Sequence, residues 1–236
     1  MGGLILANLA IALAAATQAA SGLGFAMVAI PLLALIDLGW LPGPMLFANL
    51  FLSAAILWRE GSALGRGEPL PLGAGLLIGT GLGAAFLSVV PRDSLGLLFG
   101  LVILAAVALA LLAPQVPLRP RTILAGATAS GFTGIVAAMH APPLVMLYQR
   151  EPPAKVRATF AVVFVIGCVL ALGGLALSGR FGGVEARAGL SLLPGTALGY
   201  GAGRLVARRV SQGAARAAML SISGAGGAML VARSLW

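Results

Sequence analysis

Ser21-Gly22-Leu23-Gly24-Phe25-Ala26-Met27-Val28-Ala29-Ile30-Pro31-Leu32 returns later in the chain as Thr133-Gly134-Ile135-Val136-Ala137-Ala138-Met139-His140-Ala141-Pro142-Pro143-Leu144. Gly, Ala-Met and Pro-Leu coincide in register. A second pair of stretches matches at nearly the same spacing: Leu76-Leu77-Ile78-Gly79-Thr80-Gly81-Leu82-Gly83 and Leu192-Leu193-Pro194-Gly195-Thr196-Ala197-Leu198-Gly199. Two matches in the same order indicate a duplicated chain, with a first repeat over residues 1–115 and a second over 120–236. The Pro-rich stretch from Pro114 to Pro120 is the natural joint.

Outward from these stretches the language is that of lipid. Hydrophobic residues make up 60% of the chain and charged residues 9%, too few to coat a soluble domain of this size. The expected fold is all-α and integral to the membrane, one membrane domain of two inverted repeats. Spanning runs are read at Pro44–Trp58, Leu70–Val90, Ser94–Ala113, Ala158–Leu177, Leu190–Ala207 and Ala214–Val231. Two regions do not fit a single span. The run from Leu4 to Ile36 is too long and is interrupted at Ser21–Gly24. The run from Thr122 to Leu147 is read as interrupted at Ser130–Gly134, with His140-Ala141-Pro142-Pro143 following, which leaves Thr122–Ala129 too short to cross alone. Interrupted backbone is tolerated inside a bilayer only when protein buries it or it lines a wet cavity.

The basic residues weigh the topology. If each broken region crosses once, they divide eight against seven. If each enters and returns on one side as a hairpin, eleven fall together: Arg59, Arg66, Arg119, Arg121, Arg150, Lys155, Arg157, Arg204, Arg208, Arg209 and Arg216. Arg92, Arg180, Arg187 and Arg233 oppose them. The hairpin arrangement gives an ordinary positive-inside bias, so it is preferred. It also gives each half three full crossings, which inverts the halves. Arg outnumbers Lys fourteen to one among much Ala and Gly, a hint of a GC-rich bacterial genome. A multi-pass protein of the bacterial inner (plasma) membrane is therefore expected.

Catalytic readings find little support. The six carboxylates are not paired on an apolar face, the single His cannot form a two-His metal site, and Cys168 has no disulfide partner. No enzyme activity, metal or cofactor is expected, and the net positive charge is read as topology signals and lipid-headgroup contacts rather than nucleic-acid binding. The expected partners are a small anionic substrate and membrane lipids; a homodimer is left open. The candidate substrate-binding residues are Ser21, Gly22, Gly24, Phe25, Asn49, Thr133, Gly134, His140, Arg157 and Thr159. His140 is also the candidate proton-coupling group, as the one titratable side chain inside a break. Broken helices present free N–H groups and a positive dipole end, which suits an anion.

The chain resembles the TauE/SafE (sulfite exporter) family of membrane permeases. The resemblance lies in Gly22-Leu23-Gly24-Phe25-Ala26 through Pro31-Leu32, in Gly134-Ile135-Val136-Ala137-Ala138 through Pro143-Leu144, and in Ala48-Asn49 and Ala158-Thr159. It implies secondary transport of sulfite or a small organosulfonate anion, often as export. A membrane-embedded accessory subunit or enzyme without transport is the alternative reading.

Overall fold

The computed structural model describes residues 2–64, 68–91, 94–112, 116–137, 140–148, 150–206 and 212–235. Arg66, Arg92, Arg208 and Arg209 of the charge split, Ala138 and Met139 of the repeat, Pro114 of the joint, and the span ends Ala113 and Ala207 lie outside these residues. All regular structure among the described residues is helical. The helices are α1 (Gly2–Ser21), α2 (Phe25–Ile36), α3 (Gly43–Glu60), α4 (Pro69–Val89), α5 (Leu95–Leu112), α6 (Pro120–Ala137), α7 (Pro142–Tyr148), α8 (Pro153–Leu177), α9 (Gly183–Ser191), α10 (Leu193–Val206) and α11 (Gln212–Leu235). Gly2–Ser21, Pro69–Val89 and Ala154–Leu177 are long and apolar enough to cross a membrane, and Phe25–Ile36 and Gly96–Leu109 are shorter apolar helices.

Two expectations need correction. The second interruption does not fall at Ser130–Gly134, because α6 runs unbroken from Pro120 to Ala137. Gly131 lies against the main chain of α4, where an added Cβ would come within 2.5 Å of the Leu76 carbonyl. Gly134 lies under the His140 ring. Both glycines therefore admit neighbours rather than end a helix, and the ~1 kcal/mol that each costs relative to Ala is outweighed by packing. The second correction concerns Leu190–Ala207, which divides at Leu192 into α9 and α10. Pro194 lacks an N–H and cannot continue the ladder. Asn8 of α1 bridges the gap: its Oδ1 accepts from the Gly195 N–H at 2.8 Å, and its Nδ2 donates to the Ser191 carbonyl at 3.0 Å.

Small residues bring the helices together in matched pairs. Added Cβ atoms on Gly75, Gly79 and Gly83 of α4 would collide with the main chain of α6 at Leu124, Thr128 and Phe132. On Gly195, Gly199 and Gly203 of α10 they would collide with α1 at Asn8, Ala12 and Ala16. Both contacts run parallel. By contrast, α3 and α8 are antiparallel, with Asn49 against Cys168 and Glu60 against Arg157. So are α5 and α11, with Gly96 against Ser234 and Gly227 against Ile103. With α9 and α10 taken as one broken pass, consecutive helices alternate in direction.

These contacts set the two parallel seams in a common register. Laying the three glycines of α4 on the three of α10 lays Leu124, Thr128 and Phe132 on Asn8, Ala12 and Ala16. It then lays Ala137 on Ser21 and His140 on Gly24, the ends of the first helix in each half. The letter match differs, setting His140 opposite Val28. A slip of four residues is about one helical turn and keeps the same face, so letters from an Ala- and Gly-rich chain match well in either register.

Candidate functional site

The first break is made by backbone. Gly22 and Gly24 have positive φ, 82° and 96°, a region that Cβ-bearing residues avoid. The Ser21 hydroxyl shapes the turn: it donates to the Thr17 carbonyl at 2.8 Å and accepts from the Leu23 N–H at 3.2 Å. Gly24 then opens α2 with no side chain to cap it, and the first intrahelical bond is Val28 N–H to the Gly24 carbonyl. Phe25 is buried in the main core cluster, and Leu23 packs against the cluster of Phe160, Val163 and Phe164. Gly22 is seated on the first turn of α8. A Cβ there would lie 2.7 Å from Arg157 Cγ.

One turn before this break, Gln18 turns inward. Its Nε2 donates to Asn49 Oδ1 at 3.3 Å and to Ser53 Oγ at 3.1 Å, and the Ser53 hydroxyl donates to Asn49 Oδ1 at 3.2 Å. Asn49 and Ser53 are one turn apart on α3 and so share a face. Asn49 Nδ2 reaches Cys168 Sγ of α8 at 3.8 Å. Gln18, Asn49 and Ser53 are buried, and Gln18 Oε1 has no hydrogen-bond partner. Thr159 Oγ1, buried on α8, has none either. Buried polar atoms are nearly always paired, so an open acceptor one turn before the break and an open hydroxyl on α8 are fitted to a ligand or to ordered water.

At the second break a side chain fills the space. The His140 ring fills the space above Gly134 of α6 and Gly167 of α8, where added Cβ atoms would fall 2.2 and 2.5 Å from Nε2. Phe164 meets the ring edge-on at 6.3 Å. Ser130 donates its hydroxyl to the His140 carbonyl at 2.6 Å. The ring nitrogens approach the Gly167 main chain without a well-formed hydrogen bond. Thr133 uses its hydroxyl within α6, on the Ala129 carbonyl at 3.0 Å.

The expected site residues thus fall on α8 at different heights. Gly22 meets Arg157, whereas His140 meets Gly167 and Asn49 meets the adjacent Cys168. Ten residues of helix separate the Arg157 and Gly167 levels, about 15 Å. The two breaks thus meet α8 at different levels, with Asn49 at the level of His140 and linked through Gln18 back toward the first break. Sequence reasoning singled out Asn49, but not Ser53 or Cys168 as its partners. Nor does it single out the carboxylates, which lie in or beside loops. Glu68, only 9% exposed, accepts from Lys155 at 2.8 Å and from the Tyr148 hydroxyl at 2.8 Å. Lys155 also bonds Glu151 at 2.9 Å, and Arg157 pairs with Glu60. Glu151 and Lys155 are four residues apart, but Glu68 with Lys155 and Tyr148, and Glu60 with Arg157, are too far apart in the chain to leave a local signal.

A bundle whose described regular structure is helical, with apolar outward faces, interrupted helices and buried polar groups, has the build of a multi-pass membrane transporter. The chain belongs to the Sulfite exporter TauE/SafE family, whose model matches residues 7–230. No curated protein and no solved structure matches it.

Proposed function

We propose that the protein is a secondary transporter for sulfite or a small organosulfonate anion, working as an exporter in the bacterial inner membrane. Its halves, 1–115 and 120–236, are inverted repeats. The antiparallel packing of α3 on α8 and of α5 on α11 supports the inversion, because an axis along the helices would leave equivalent helices parallel. Alternation of the helix directions also collects Arg59, Arg119, Arg121, Arg150, Lys155, Arg157 and Arg204 at one end, as the hairpin topology requires.

The observation that carries the reading is the polar track on α8: an uncapped α2 terminus at Gly24, the open Gln18 Oε1 and Thr159 Oγ1, and the Asn49 network, all buried in a chain of this family. The substrate sits beside Ser21–Phe25 with Asn49 and Thr159 below it, and main-chain N–H groups supply much of the binding. His140, at the inner end of the track, carries the proton where flux is proton-linked. Outward movement of an anion is itself favoured by the inside-negative potential, by about 2.3 kcal/mol per charge at 100 mV. Flux of a panel of sulfite, organosulfonates and sulfate in proteoliposomes, with and without a pH gradient, tests the reading. Saturable sulfite or organosulfonate flux is expected, and a sealed vesicle that passes none of these anions refutes it.

A further inference from the structure

Arg157 does two things at once. Its side chain lies across Gly22, in the volume that any Cβ there would occupy, and its guanidinium Nε is held by Glu60, the last residue of α3. The pair therefore ties the ends of two antiparallel helices together directly over the first break. Both side chains are 28% exposed, so the pair borders solvent rather than being entombed. Behind it lie the Ser21–Gly24 turn, the α2 terminus and Gln18. Movement of Arg157 off Gly22 would uncover the turn from this side. A carboxylate and an oxyanion offer guanidinium the same forked geometry, so they compete for it.

We infer that Glu60–Arg157 is a latch on the first break, opened when an anion takes the place of the Glu60 carboxylate on Arg157. Glu60 is thus a built-in competitor of the substrate. The inference rests on the transport reading for the identity of the anion, but the latch itself does not. Arg157 captures the anion at the mouth, and its release from Glu60 frees the Gly22 turn to rearrange.

Hydrogen exchange of the amides of residues 22–28, measured on the full-length protein in proteoliposomes with and without sulfite, tests this alongside sulfite flux. Sulfite is expected to speed exchange at these amides, with gluconate as the inert control. Glu60→Gln should speed it without sulfite and lower the half-saturating sulfite concentration about fivefold, the scale of a partly exposed ion pair. Arg157→Gln should abolish the sulfite response. The swap Glu60→Arg with Arg157→Glu should restore slow exchange but not the response to sulfite, and guards against variants that merely misfold. Sulfite flux in the wild type with exchange indifferent to both sulfite and Glu60→Gln overturns the latch and leaves the transport reading standing. Faster exchange in Glu60→Gln, reversed by the swap, in a protein that neither binds nor moves sulfite upholds the latch and overturns the substrate.

Discussion

The two helix breaks answer one structural problem with different materials. In the first half, positive-φ glycines and the Ser21 turn reverse the chain, and the space beneath them is left to Arg157. In the second half an imidazole fills the corresponding place, and Gly134 and Gly167 make room for it. In the packing register Gly24 and His140 occupy the same position. Residues 21–24 and 137–140, brought into register by the two parallel helix seams, thus differ at the point where binding is proposed. The first break offers backbone and the second offers a titratable ring.

The sharpest way to break this contrast is to give the first turn a side chain. Gly24→Leu places a Cβ at φ 96°, which costs about 1–2 kcal/mol for the conformation alone. Substrate binding should be lost while the helical content measured by circular dichroism stays intact. Binding at wild-type affinity would remove the first break from the site.

Gly134→Leu probes the second break. The added side chain lands on His140 Nε2, so the ring must leave its slot between α6 and α8. Overpacking of this kind costs about 1–3 kcal/mol. Thermal unfolding in detergent should show the loss, and His140→Ala in the same chain should recover most of it. No recovery would mean that the ring is not what Gly134 accommodates. The Asn49 network ranks next. Gln18→Leu removes the donor that Asn49 and Ser53 share but leaves the Ser53–Asn49 bond, a loss of about 0.5–1.5 kcal/mol. Sulfite affinity should fall about tenfold, with a smaller drop in thermal stability. A drop in stability alone would make the network interhelical glue.

How much of this was legible in the letters depended on what distinguished each feature. The helices α3, α4, α5, α8 and α11 follow from uninterrupted apolar runs, and the first break from Gly22 and Gly24. The second was misplaced because Gly131 and Gly134 look like Gly22 and Gly24 in composition. What separates them is the neighbour across the helix, the α4 backbone or the His140 ring, and no local window contains it. Asn8 as the bridge of α9 and α10, and Glu60 as the partner of Arg157, lie beyond local pattern for the same reason. Asn49 was recognisable because an amide in an apolar run needs a partner, whereas the identity of that partner was not.

The smallest expected effect is the one most particular to the second break. A ring closed in by Gly134, Gly167 and Phe164 changes charge only if a proton can reach it, and a transport cycle that opens this end of the track provides that access. His140→Gln retains hydrogen-bonding capacity and much of the ring's volume but cannot titrate. Flux should continue, while its dependence on pH between about 5 and 8 flattens. Where His140 carries the coupled proton, the variant should also lose its acceleration by an imposed pH gradient. A merely structural ring would affect neither reading. An unchanged profile in a fully folded variant would therefore return His140 to the packing of α6 on α8. The anion would then move on its own gradient and the membrane potential alone.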